Sequence, residues 1–535
     1  MDKENIYEQI MPWKPMEIKL ISKKQYTNSY IDIYVTATFT SPNGQKMQVP
    51  GFWYGDNIWK VRFAPPAPGL WKWTTKVIGL NDGGLNNQAG EFYVEAYNRK
   101  NPIYRHGFLK ASENGRGFIH EDGTPFFWLG DTVWSISARA TTDEWKEYIN
   151  FRSKQGFNLV QINALPQHDA SGTDYREPFA ITSSGWDLTR PNQEYFEYLD
   201  QMMEMTMEAG MITAMVVLWC DYVSGTNPSW NIIRKANFSE EQAQLFGQYL
   251  GARYGSFGTV WLITGDTDFI DSQAIGVYDA AAKGIQDGVP NSPLMTAHLN
   301  GGIYTPDVLN AKDWLSFHMY QSSHSKQTKE NALFYAKKDR AYEPIRPVLN
   351  GEPCYEQLGY HMLTETIERE TVRDVAWNSI LGGGNAGITY GAHGLWSWHR
   401  QGEFFSNADQ WHMPPDWREA LKFEGAEDMV RMKNFFTDIP WWELEPANDL
   451  LIDKVDKQIA SADNGRQIII VYISQADDVH IKVKANCSYE GKWFNPVNGD
   501  KQSASVTILD SRLTVQAPTS TGEWVLTIKN IEFKG

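Results

Sequence analysis

Cysteine is scarce in this chain. Its three residues, Cys220, Cys354 and Cys487, are far apart and odd in number, so they form neither a disulfide framework nor a metal-ligand spacing. No apolar stretch is long enough to span a bilayer. Basic charge is in deficit: 49 Lys and Arg stand against 65 Asp and Glu, for a net charge of −16. That balance disfavours nucleic acid and anionic membrane surfaces as partners. No phosphate-binding glycine fingerprint and no Gly-x-Ser-x-Gly elbow occurs, which argues against a nucleotide-binding sheet and a serine hydrolase. The first residues are acidic and polar and lack the basic and apolar regions of a secretory signal, so a cytoplasmic location is expected.

Aromatic side chains are abundant instead, with 22 Trp, 25 Tyr and 25 Phe. Large rings mostly fill cores, but they also form platforms for the apolar faces of sugars. A length of 535 residues and 42% hydrophobic content allow several cores. Pattern changes divide the chain into three. Residues 1–98 carry short β-branched and aromatic runs, such as 31–40, 49–54, 59–63 and 70–74, and read as a β-sandwich. Residues 448–535 repeat that character, with runs at 467–473, 479–483 and 523–528 and a turn at 495–500, and read as a second small sandwich.

Between them, 103–445 alternates apolar runs with helical segments. Runs are expected as strands at 126–130, 157–163, 211–219, 260–264, 294–298, 314–318, 347–350 and 386–390. Helices are expected after Thr141 or Thr142, over 192–209, and from a capping box that starts at Ser239 and ends at Gln242. Eight strands with helices between them predict an α/β fold, a (β/α)₈ TIM barrel flanked by two all-β sandwiches. A doubly wound sheet is the alternative.

In such a barrel the chemistry gathers where strands end. The residues there are Asp131 and Trp134, Asn163 and His168, Trp219 and Asp221, Asp266, His298, His318 and Tyr320, Glu352, Tyr355 and Glu356, and His393, Trp396 and Trp398. This ring is polar, aromatic and rich in carboxylates. Cutting a glycosidic bond needs an acid for the leaving oxygen and a carboxylate that attacks the anomeric carbon or activates water. Strands four and seven lie across a barrel from one another, so Asp266 is the expected acid/base and Glu352 the expected nucleophile. Each has a structural alternative: Asp266 as a helix N-cap, Glu352 in an ion pair with a rim Arg. Asp131 fits a substrate hydroxyl or a neighbouring Arg equally well. The other ring residues are candidates for substrate binding. None of the histidines has the i, i+4 helical spacing of a zinc motif, so contacts with sugar hydroxyls are favoured and no metal or cofactor is expected.

Four segments, 125–134, 261–266, 347–356 and 384–396, resemble the apiosidase-like glycoside hydrolases, a group that includes enzymes removing the branched pentose apiose from plant polysaccharide side chains. Residues 59–73 are similar to the β-sandwich often found before such barrels. Residues 493–499 and 522–526 resemble a small domain that carries a collagen-binding label in these proteins. The resemblance implies an Asp after strand four and a Glu after strand seven, which map onto Asp266 and Glu352. The family usually has Gly-Gly-Asp where this chain has Thr264, Gly265 and Asp266. The expected activity is that of a retaining, exo-acting glycosidase on an apiose-like or arabinofuranose-like pentose in plant-derived oligosaccharides or glycosides. The alternative is a barrel that binds carbohydrate without cutting it. A homo-oligomer is compatible with either.

Overall fold

The computed structural model describes residues 10–79, 81–167, 171–226, 235–453, 457–484 and 487–531. At its centre is an all-parallel, eight-stranded sheet in the order β5-β4-β3-β2-β1-β8-β7-β6. The strands are β1 (Trp128–Thr132), β2 (Leu159–Asn163), β3 (Ile212–Trp219), β4 (Val260–Gly265), β5 (Met295–Thr296), β6 (His318–Gln321), β7 (Val348–Glu352) and β8 (Gly387–Tyr390). The β5–β6 seam lacks a regular ladder. Ser316 N donates to Met295 O at 2.8 Å and Thr296 Oγ1 to Phe317 O at 2.7 Å, which nearly closes the barrel.

The helices follow in turn: α1 (Thr142–Gln155), α2 (Gln193–Glu208), α3 (Glu240–Tyr254), α4 (Ser272–Gly288), the single turn α5 (Asp307–Asn310), α6 (Thr328–Arg340), α7 (Arg369–Leu381) and α8 (Gly425–Thr437). Thr141 and Ser239 open α1 and α3 through reciprocal capping boxes with Glu144 and Gln242. Among the described residues no helix is long and apolar enough to cross a membrane.

Two antiparallel sheets form the N-terminal β region, and a third, of Leu109–Ala111, Phe118–His120 and Pro125–Phe126, leads into the barrel. Of the first two, one joins Met16–Ile21, Ile58–Phe63 and Phe52–Gly55; the other joins Lys46–Pro50, Val35–Thr40, Gly69–Val77 and Ala89–Val94. The single run expected over 49–54 is broken at Gly51, where the chain passes between sheets. A Cβ there would lie 2.9 Å from Lys60 O, so the crossing requires glycine. A six-stranded and a three-stranded antiparallel sheet follow the barrel around a separate apolar core.

Charged networks tie both β regions to the barrel. Arg62 contacts Glu17, Asp200 of α2 and the Arg253 carbonyl of α3, and Arg253 in turn grips Asp200. Arg373 of α7 bridges Asp428 and Glu523, while Trp377 stacks on Tyr472 with centroids 5.6 Å apart.

Strand phase decides which expected site residues face the centre, because successive side chains point to opposite faces. Asp131 lies inside β1, paired with Val160 and Tyr390, and not beyond the strand end. It faces α1, where its Oδ2 accepts from Arg152 Nε at 2.6 Å and from Tyr148 Oη at 2.8 Å. The sixth strand begins at His318, four residues later than expected. His318 and Tyr320 therefore sit within it. His318 Nδ1 is 3.1 Å from Thr305 Oγ1, and Tyr320 packs against Tyr335 of α6. The aromatic run 314–317 leads into the strand and does not form it.

Asp131 and Arg152 are both completely buried. Replacing Arg152 with Met should strand the carboxylate and cost about 3–5 kcal/mol, seen as a lower urea midpoint, whereas adding Asp131→Asn should recover much of it. A single-variant loss below ~1 kcal/mol would contradict this account.

Candidate active site

Glu352 ends β7 with its side chain turned inward. Gly351 before it packs against Met319 so tightly that a Cβ would fall 2.4 Å from Met319 Cγ. A buried polar layer supports this strand end. Gln161 Nε2 donates to the Gly351 carbonyl at 3.0 Å, and Gln161 also contacts Thr132 and Thr389. Four strands are thereby fixed together beneath the carboxylate. Glu352 Oε2 accepts from Trp134 Nε1 at 3.2 Å, and Oε1 lies 3.1 Å from His324 Nε2. No Arg takes part among the described residues; the ring nitrogens beside it belong to His298 and His324.

Asp266 follows β4 with φ of +46°, in the left-handed region that a non-glycine residue seldom occupies without a functional reason. This twist swings the carboxylate into the barrel mouth. The helix-cap role falls to Asp271, whose side chain accepts from Gln273 N and Ala274 N at the start of α4. Asp266 Oδ1 lies 3.5 Å from Gln321 Nε2.

His298 connects the two acids. Its Nε2 is 3.5 Å from Asp266 Oδ1 and 3.3 Å from Glu352 Oε2. Those two oxygens are thus less than ~7 Å apart, close enough for both carboxyls to flank one glycosidic bond. The ring is fully buried and packs against both Trp134 and Trp219, at centroid distances of 5.0 and 5.7 Å, and the two indoles also touch each other.

Burial disfavours the imidazolium, but the adjoining carboxylates outweigh it and push the His298 pKa up to about 9. For Glu352, burial acts upward, yet His298 and His324 hold the carboxyl well below the usual range. Asp266 moves the other way: burial raises it, the Glu352 charge adds to the rise, and His298 only partly offsets it. The surroundings thereby push the two neighbouring acids in opposite directions, the pattern that separates an acid from a nucleophile.

A cavity of about 640 Å³ opens above the pair. Trp134, Trp219, Tyr355 and Trp396 line it together with the two acids, and Tyr355 Oη accepts from Trp134 Nε1 at 3.1 Å. Other expected contacts are not brought there. Asn163 donates to Gln167, which does line the cavity, and Asp221 lies in a buried turn after β3. Glu356 accepts from Tyr390 Oη and Gly425 N, so it anchors β8 and α8. Trp398 stacks on Trp417 at 4.2 Å. His393 contacts the His412 carbonyl and steadies the loop after β8. His168 lies outside the described residues. His324, expected after strand six, also lines the cavity. Lining residues beyond the expected set include Gln321, His361, Asn407, Gln410 and Trp411; the last three belong to a loop with no distinguishing pattern.

Comparison with known proteins agrees with the geometry. Residues 112–443 match the family described as apiosidase-like, catalytic domain, and residues 9–77 match a domain of unknown function, DUF5060. Among curated proteins none matches. A solved structure named only as a glycoside hydrolase is 22% identical, with 82% of this chain and 100% of its own covered, at a TM-score of 0.69. A glycoside hydrolase family 5 structure from Bacteroides vulgatus is 23% identical, with 81% and 94% covered, at 0.68. These likenesses describe the fold.

Replacing His298 with Gln removes a positive charge that lowers both acids. With Glu352 acting ionised and Asp266 acting protonated, each pKa should rise and carry its limb of the kcat/KM profile to higher pH. A profile that loses height without moving would mean that His298 serves packing alone.

Proposed function

We propose a mechanism from one premise: the chain belongs to the apiosidase-like family of glycoside hydrolases. Asp266 gives its proton to the glycosidic oxygen as that bond breaks. Glu352 attacks the anomeric carbon and forms a glycosyl ester. Asp266, now ionised, takes a proton from water, which displaces Glu352 and releases the sugar with its configuration retained. The observation that carries this reading is the single imidazole nitrogen in contact with both carboxylates, which bounds their separation.

Trp134 keeps Glu352 aimed through its indole N–H. Buried aromatic rings behind the acids favour one terminal sugar held against that wall and the remainder directed outward, hence exo action. The family description supports a pentose, apiose-like or arabinofuranose-like, as the released sugar.

On whichever aryl pentoside responds, Asp266→Asn should lower kcat/KM by about 10²–10⁴-fold for poor leaving groups and much less for a dinitrophenyl glycoside, whose departure needs no proton. Glu352→Gln should abolish turnover of both. NMR should detect the retained anomer first. Full activity in both variants would refute the assignment, and the inverted anomer as first product would refute the nucleophilic role. Sugar binding without turnover across the panel would favour a binding barrel.

A further inference from the structure

Two loops form the outer part of the cavity, 357–363 after β7 and 404–413 after β8. They are stitched together along their length. Gly359 N donates to the Trp411 carbonyl and Met362 N to the Gln410 carbonyl, both at 3.1 Å, and the His412 ring donates to the Leu363 carbonyl at 2.7 Å. Trp411 lines the cavity from this rim. Its ring lies 5.0 Å from His361 and 5.8 Å from His324, the latter in contact with Glu352. An aromatic plate is thus fixed to the wall that carries the nucleophile, but outside the reacting centre.

Three further observations bear on what meets it. About 640 Å³ equals roughly twenty liquid waters, far more than one five-carbon sugar fills. Among the described lining residues there is no Lys or Arg, and the only carboxylates are the two reacting acids. Met362, Leu363, Phe404 and Met413, on the same two stitched loops, leave large apolar side chains in solvent. Scattered apolar residues are ordinary on a surface, but four of them on two loops that line one cavity offer an apolar face.

We propose that this mouth is a second binding site, for an uncharged, flat-faced part of the substrate beyond the reacting sugar. Trp411 stacks on that face, Asn407 and Gln410 supply polar contacts at its edge, and the apolar rim covers what projects outward. A uronate there would meet no Lys or Arg among the described lining residues and would approach two acids on a chain of net charge −16. The flat face can belong to an aromatic aglycone or to a neutral sugar ring. The proposal rests on the glycosidase reading, but its test measures binding and not turnover.

Full-length Glu352→Gln protein is titrated with phenyl arabinofuranoside, arabinobiose and digalacturonate, with tryptophan fluorescence as the signal. One neutral probe should bind at least about tenfold more tightly than digalacturonate, and Trp411→Ala should weaken it about tenfold, the scale of one good ring contact. Trp411→Phe should retain most of the binding and shows that the loop still folds. Preference for the phenyl glycoside identifies an aromatic aglycone; preference for arabinobiose identifies a sugar. Equal or tighter binding of digalacturonate, no response to any probe, or unchanged affinity in Trp411→Ala overturns the proposal. None of these outcomes touches the catalytic assignment, which stands or falls on the kinetics of the Asp266 and Glu352 variants.

Discussion

A cation with nowhere else to go organises this site. His298 is buried against two indoles, and its Nε2 lies beside the carboxylates of Asp266 and Glu352. Its charge makes two buried acids tolerable side by side, because like charges at that separation in a dry pocket would otherwise force a proton onto one of them in an uncontrolled way. The asymmetry then comes from the surroundings: Glu352 gathers Trp134 and His324 as well, whereas Asp266 has only the longer contact with Gln321. Strand ends, the glutamine layer beneath β7 and the twisted backbone at Asp266 all serve to keep two carboxylates within reach of one nitrogen.

The barrel was legible because its strands are continuous apolar runs that end in glycine and an acid, and because caps such as Thr141 and Ser239 are local chemistry. The two acids were legible for the same reason. What could not be read was phase. Asp131, His318 and Tyr320 sit one or more residues inside their strands, and a shift of one residue turns a side chain from the mouth to the helix layer. Sequence proximity to a strand end is too coarse a measure to settle that.

Tertiary contacts account for the remaining differences. Glu356, Trp398 and His393 follow barrel strands as expected, yet each is claimed by a neighbouring loop or helix that lies far along the chain. Conversely, Trp411 reaches the cavity only because its loop is bonded to the one after β7. No local pattern encodes such a pairing. The roles of Asp266 as a cap or an acid also could not be separated until Asp271 was found capping α4.

The division between a wall built from strand ends and a mouth built from two paired loops has a bearing on how such proteins diversify. Insertions and substitutions in 357–363 and 404–413 change what can approach without disturbing the bonds that hold the reacting groups. Descendants of one ancestral barrel can therefore share every reacting atom and still live on different glycosides. Kinship measured over the strands is a record of chemistry, and diet is written in the loops.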